Sequence, residues 1–272
     1  MTDAVEVFVP GHITGLFSVH RHADPERAGS RGAGVTLTDG VTVALTPAPD
    51  SLVTLNGDPV EMPPVAGVLD ALDVTAEIHA ETPLPLGAGF GVSGAMALGT
   101  AYAANAAFDC GKTDNAVIRV AHEAEVSSGT GLGDVVAQAR GGVPIRLEPG
   151  APPHGRLDAI PAAARVEYLT FGGLATSDVI SGSTTELSAA GEDALTALLD
   201  RPTLPGFIDA ARSFARDAGV ITDDVAAVLD DVDTASMAML GRTVYTLGTG
   251  LTDAGYDAET CRVHPAGATF EE

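Results

Sequence analysis

Tryptophan is absent from the 272 residues, lysine occurs once, at Lys112, and cysteine twice, at Cys110 and Cys261. Aromatic residues make up 4% of a chain that is 45% hydrophobic, so the core has to be assembled from Ala, Val and Leu rather than from large rings. Two cysteines far apart in sequence fit no metal-ligand or redox spacing and supply no disulfide framework, and a reducing interior is expected. Basic residues are scarce: 14 Lys+Arg stand against 37 Asp+Glu, a formal net charge of −23. Nucleic acid is held through Lys and Arg that displace condensed counterions, so no nucleic-acid partner is expected, and an anionic membrane surface is disfavoured for the same reason. No membrane span is expected either, since the longest weakly polar stretch, 95–108, is short and rich in small residues. The first residues carry two acids and no basic segment, unlike a secretory signal. The expectation is a soluble cytoplasmic protein with small-molecule partners, compatible with a homodimer.

The basic residues that are present comprise 13 Arg and the single Lys. An acidic, Lys-poor chain rich in Ala, Val and Gly resembles the cytoplasmic proteins of salt-accumulating halophiles. Near molar salt the Debye length falls to about 3 Å, so repulsion between surface acids is screened while the acidic surface maintains solubility.

Alternation and turn residues predict strands at 5–9, ending at Pro10-Gly11, at 35–37 and 41–45, paired across Asp39-Gly40, and at 74–80, 143–147, 166–171 and 243–247. Helices are expected up to residue 107 from a Gly-rich loop at 87–94, and at 116–126, 135–139, 192–199, 206–216 and 223–240. The last carries Val225, Val228, Leu229, Val232, Ala235 and Met239 on one stripe, with Thr222 as N-cap. The Pro/Gly cluster 148–153 reads as a linker, dividing the chain into domains 1–155 and 156–272 of mixed α and β structure.

Pro85-Leu86-Gly87-Ala88-Gly89-Phe90-Gly91-Val92-Ser93-Gly94-Ala95 is the most informative segment. Its glycines permit close backbone approach to a ligand, and the helix N-terminus that follows favours an anion, most often phosphate. Ser93 adds a hydroxyl for a phosphate oxygen or for Mg2+. A Walker A reading fails because no Gly-Lys-Ser/Thr follows. A dinucleotide fingerprint is literally present as Gly89-x-Gly91-x-x-Gly94, with Asp109 downstream. Its context is wrong: the loop follows Pro83-Leu84-Pro85, and Asp109 sits in a turn rather than ending a strand. The third reading is the phosphate loop of the GHMP kinases, Pro-x-x-x-Gly-Leu-Gly-Ser-Ser-Ala-Ala, which lies over 85–95 without a gap. Phe90 stands for Leu, Val92 for the first Ser and Gly94 for the first Ala.

Glu123, Glu125 and Asp134 flank a second Gly-rich loop, 129–133. Phosphoryl transfer needs a carboxylate for the metal and, in many enzymes, a second to accept the attacking hydroxyl's proton. In register with the superfamily, the resemblance assigns Glu125 to Mg2+ and Asp134 to catalysis, with Glu123 the rival metal ligand.

Val9-Pro10-Gly11-His12-Ile13-Thr14-Gly15-Leu16-Phe17, Gly29-Ser30-Arg31-Gly32-Ala33-Gly34, Thr130-Gly131-Leu132-Gly133-Asp134-Val135-Val136-Ala137-Gln138 and Ser236-Met237-Ala238-Met239-Leu240-Gly241 extend the likeness along the chain, which resembles the archaeal pantoate kinases of that superfamily. The resemblance implies an α+β fold of two domains: an N-terminal one like ribosomal protein S5 domain 2 and a ferredoxin-like C-terminal one. It also implies ATP and Mg2+ as cofactors and pantoate as acceptor in coenzyme A biosynthesis. Nucleotide would be bound by Pro85, Gly87, Ala88, Gly89, Gly91, Val92, Ser93 and Gly94, metal by Ser93 and Glu125, and pantoate by Ser30, Arg31, His122 and Arg146. An Arg guanidinium can grip a carboxylate bidentately, which suits the two arginines to an acid substrate. Where other members carry Arg or Lys near the N-terminus this chain has His12, and the 236–241 segment lacks the multi-Gly third motif; Met237, Met239 and Leu240 read as core. A kinase for another small hydroxy acid such as homoserine, and a non-catalytic nucleotide-binding regulator, are the alternatives.

Overall fold

The structure is a computed structural model and describes residues 4–173, 184–239 and 241–271. Its order is β1 (Val5–His20), β2 (Gly29–Pro47), β3 (Leu52–Leu55), β4 (Asp58–Pro59), α1 (Pro63–Leu72), β5 (Ala76–Glu81), α2 (Val92–Ala107), α3 (Asp114–Ser128), α4 (Asp134–Arg140), β6 (Val143–Glu148), β7 (Arg156–Ile160), β8 (Arg165–Gly173), α5 (Thr185–Asp200), α6 (Leu204–Asp217), α7 (Asp223–Asp231), β9 (Ala235–Ala238), β10 (Gly241–Leu247), α8 (Gly250–Asp253), β11 (Glu259–Arg262) and β12 (Thr269–Phe270). An eight-stranded sheet runs β12-β1-β2-β5-β3-β4, with β6 and β7 branching from β2, and a four-stranded antiparallel sheet runs β11-β8-β10-β9.

β1 and β2 form one long antiparallel ribbon where the sequence predicts interrupted strands. Asp39-Gly40 is no hairpin turn. Pro10 faces Gly40 and Gly11 faces Leu37, so Thr38 and Asp39 bulge out of β2 while pairing resumes on either side. Proline is tolerated at such a break because no ladder hydrogen bond is asked of its nitrogen. A second irregularity between Thr14 and Leu16 lies opposite the Gly-rich 29–34 segment, which is strand rather than turn. There Gly32 holds φ 142°, a value that favours glycine, and a Cβ at Gly32 would strike the Leu16 carbonyl. The bends wrap β1 and β2 around α2, whose small residues let it sink into the sheet: Gly99 lies against Val43 and Val9. Eleven of its residues are buried, so a helix with almost no polar face is the central packing element.

The 148–153 cluster is the turn of the β6–β7 hairpin, inside the larger sheet, rather than a link between units. β7 therefore stays with that sheet beyond the expected division at 155/156, and the chain enters the smaller sheet only with β8. β12 returns to pair with β1.

The helix expected over 223–240 stops at Asp231, and residues 235–238 are strand β9, paired with β10. Helical spacing of apolar residues is overridden at two points. Asp230, Asp231 and Asp233 crowd negative charge at the negative end of the helix dipole. The buried guanidinium of Arg212 then takes the carbonyls of Leu229, Val232 and Ala235, at 2.9, 2.9 and 2.6 Å, which satisfies backbone that a continuing helix would have used. Met237 and Met239 are core, as expected; Leu240 lies outside the described residues. Cys110 and Cys261 are free thiols. Among the described residues no helix is long and apolar enough to cross a membrane.

Candidate active site

The loop before α2 builds the first wall. Gly87, Gly89 and Gly91 have φ of 76°, 90° and 65°, conformations that side-chain-bearing residues rarely adopt, and they turn the chain sharply into the helix. The first helical hydrogen bond runs from Ala95 N to the Gly91 carbonyl at 3.0 Å, so the N–H groups of Val92, Ser93 and Gly94 have no partner within the helix. Three free donors at the positive end of a long helix are a phosphate site in waiting. Gly87, Gly89, Gly91, Val92 and Ser93 line a cleft of about 430 Å³, closed opposite by Ser128–Thr130 and Asp134 and roofed by Met62 and Met239. Ala88 is buried: its carbonyl accepts the Thr243 hydroxyl at 2.8 Å, and Gly89 lies against Met239 and Gly241. The segment resembling a third motif thus backs the loop. Pro85 is exposed at the loop's start.

Glu125 and Asp134 come together below that loop. Glu125 is fully buried on α3; its Oε2 accepts a long hydrogen bond from Val135 N at 3.5 Å and its Oε1 has no partner. Burial, reinforced by the Asp134 charge, pushes its carboxyl well above the usual range. A cation beside it would reverse that shift. Asp134, first residue of α4, is part-exposed to the cleft, and its Oδ1 lies 2.6 Å from His12 Nδ1 on β1. Burial alone would raise its carboxyl; the His12 hydrogen bond and the charge of Arg146 outweigh this and hold it below the ordinary value. Arg146 is itself buried. Its Nε donates to Ser30 Oγ at 3.1 Å, its Nη1 has no partner, and Ser30 in turn donates to the Leu132 carbonyl at 3.3 Å.

Glycine makes this crowding feasible. A Cβ on Gly94 would stand 2.5 Å from Glu125 Oε1 and 3.2 Å from the Asp134 Cβ. Gly94→Ala is therefore expected to displace the carboxylate. On the assignment of Glu125 to Mg2+ that the sequence resemblance implies, it should raise the Mg2+ concentration for half-maximal activity at least about tenfold while the melting temperature moves by only a few degrees, a change read from a magnesium titration beside a thermal melt.

The remaining sequence candidates divide. His122 is buried one turn before Glu125 on the same face of α3; its Nε2 lies 2.9 Å from the Ala28 carbonyl, two residues before Ser30, and its Nδ1 has no partner. Arg31 does not join this group. Alternate strand residues face opposite sides of a sheet, and Arg31 is turned to the Leu147 carbonyl, at 2.8 Å, and to an ion pair with Glu192 of α5. Glu123, the rival metal ligand, is a surface residue paired with Arg119.

Two residues escaped the sequence reading of the site. Gln138 sits one turn after Asp134 on α4, donates from Nε2 to the Gly91 carbonyl at 2.9 Å and keeps a buried, unpartnered Oε1. Its i,i+4 spacing from Asp134 was a usable signal. His12 had no such signal, since its contact with Asp134 joins positions 122 apart.

Residues 64–142, spanning loop and acids, match the GHMP kinases N terminal domain family. The pantoate kinase of Methanospirillum hungatei is 34% identical over 257 residues, covering 90% of this chain and 87% of that protein. The chain belongs to the pantoate kinase family. The pantoate kinase of Thermococcus kodakarensis agrees, at 34% identity over 263 residues, 89% of this chain and 87% of the relative. A solved structure described as a phosphotransferase related to the CoA biosynthesis pathway superposes with a TM-score of 0.87 at 29% identity, over 98% of both chains. The fold is accordingly the two-domain α+β fold of the GHMP kinases.

Proposed function

We propose that the protein transfers the γ-phosphoryl group of ATP to the 4-hydroxyl of pantoate, in the cytoplasm, on the archaeal route to coenzyme A. The observation that carries this reading is the convergence of three groups within one site: the free N–H groups ahead of α2, the acid pair Glu125 and Asp134, and the Arg146–Ser30 pair. The N–H groups of Val92, Ser93 and Gly94 hold the phosphates. Asp134 accepts the proton as the 4-hydroxyl oxygen bonds to phosphorus and the bond to ADP breaks. Arg146, with an unpartnered Nη1, receives the pantoate carboxylate, and Ser30 and His122 offer polar contacts to the rest of the acid.

The residues present fit magnesium. Glu125 Oε1 is a buried acceptor without a donor, beside Asp134, and Ser93 and Asp134 both border the cleft. Among the described residues no three His, Cys, Asp or Glu side chains form a metal cage. Magnesium suits that poverty, because it keeps waters and phosphate oxygens and takes only one or two carboxylates. Ser93 and Glu125 would hold it, and when bound it neutralises charge on the transferring phosphate. On this reading the unit up to Ile160 carries nucleotide and catalysis, and the following strands and helices close over it.

The test is ADP release in concentrated KCl with Mg·ATP, comparing pantoate, homoserine, mevalonate and no acceptor. Pantoate-dependent turnover is the expected result. Turnover with another acceptor alone would reject pantoate as the substrate, and ATP binding without turnover on any acceptor would favour a regulator.

A further inference from the structure

His12 is completely buried in the middle of β1, yet it reaches the acid of another element. Its place is fixed from three sides. The backbone N–H donates to the Phe90 carbonyl in the phosphate loop at 2.9 Å. The ring occupies space that Gly34 of β2 leaves open: a Cβ there would collide with His12 Nε2. Nδ1 meets Asp134 Oδ1 at 2.6 Å. Nε2 is buried with no partner, so the proton belongs on Nδ1, where the carboxylate accepts it. Burial, the largest effect, lowers the imidazole's affinity for a second proton and, with the charge of Arg146 on β6, outweighs the opposing pull of Asp134.

We infer that His12 is a positioning residue: its Nδ1–H anchors Oδ1 of Asp134 as an uncharged donor and leaves Oδ2 to take the proton of the attacking hydroxyl. The inference rests on the proposed phosphoryl transfer. A neutral donor has a consequence that a Lys or Arg at the same place would not. It fixes the carboxylate rotamer without adding a full positive charge that would weaken the carboxylate as a base, and among the described residues it leaves Arg146 as the cation facing both acids. It also ties the acid to the loop, because the residue that orients Asp134 is itself hung from Phe90.

Side-chain geometry supplies the test. Asn places an N–H the same number of bonds from Cα as Nδ1 of His, whereas Leu fills similar space with no donor. His12→Asn is expected to keep kcat within about fivefold of wild type, and His12→Leu to lose about 10²-fold in kcat with KM for ATP unchanged, the loss typical of a misplaced catalytic group. A folded His12→Asn that loses as much as His12→Leu, or a His12→Leu that loses nothing, overturns the inference. If the Leu variant does not fold, the Asn variant decides alone. The assays use the acceptor that wild type turns over. Absence of turnover on pantoate alongside turnover of another acceptor therefore rejects the substrate reading, and the paired variants still test His12.

Discussion

Asp134→Asn should lower kcat with pantoate by about 10²–10⁴-fold, the contribution typical of a positioned proton acceptor, while ATP binding stays within a factor of about three. The amide is isosteric, so the hydrogen-bonding position opposite His12 remains filled and the cleft keeps its shape. What disappears is the proton affinity at the carboxyl that lines the cleft and faces the buried Glu125. The split between a collapsed kcat and an unchanged ATP affinity is the diagnostic feature, because an interaction made only in the transition state lowers kcat and kcat/KM together. Steady-state kinetics with pantoate, combined with a direct nucleotide titration, measures both. Turnover within tenfold of wild type would remove Asp134 from the chemistry and leave the site with an acid that only orients the hydroxyl.

Arg146→Met is expected to have the second largest effect, on the acceptor rather than the nucleotide. The guanidinium is buried, holds Ser30 through Nε and offers Nη1 with no partner in the free protein. A donor left unpaired in a dry place costs stability, and on the proposed reading the pantoate carboxylate satisfies it. Truncating one partner of a buried charge pair costs roughly 2–5 kcal/mol of binding, so KM for pantoate should rise about 30- to 5,000-fold. Thermal stability should change little, since the substitution also removes the orphaned donor. Arg146→Lys keeps charge but loses the planar fork and should recover only part of the affinity. Equal damage to ATP and pantoate kinetics would show instead that Arg146 acts by holding the acid pair.

What the sequence revealed of the site was local. Three glycines spaced by two before an Ala-rich helix, and acids on either side of a second glycine loop, are patterns within about a dozen residues; the glycines and Asp134 end up facing one cleft, with Glu125 buried behind Asp134. Legibility failed wherever distant segments decide the outcome. The bulge at Thr38-Asp39 looks like a hairpin turn until β1 is laid beside it. The apolar stripe at 225–239 is helical by period, and only Arg212 and the pairing of β9 with β10 show why the helix stops. Arg31 and Ser30 are neighbours in sequence, but the strand directs them to opposite sides, one to Glu192 and the other to Arg146. The contact between His12 and Asp134 depends on the registry of β1 against α4, which no short pattern encodes.

The phosphate loop is held from behind by residues that come late in the chain: Thr243, 155 positions after Ala88, grips the Ala88 carbonyl, and Met239 and Gly241 press on Gly89. Emerging from the ribosome, the polypeptide carries the loop glycines and the start of α2 well before it carries the buttress behind them. Long-range closure of this kind is slow to form. A nascent chain arrested before β10 would therefore possess the whole loop sequence without the contacts that hold its backbone from behind.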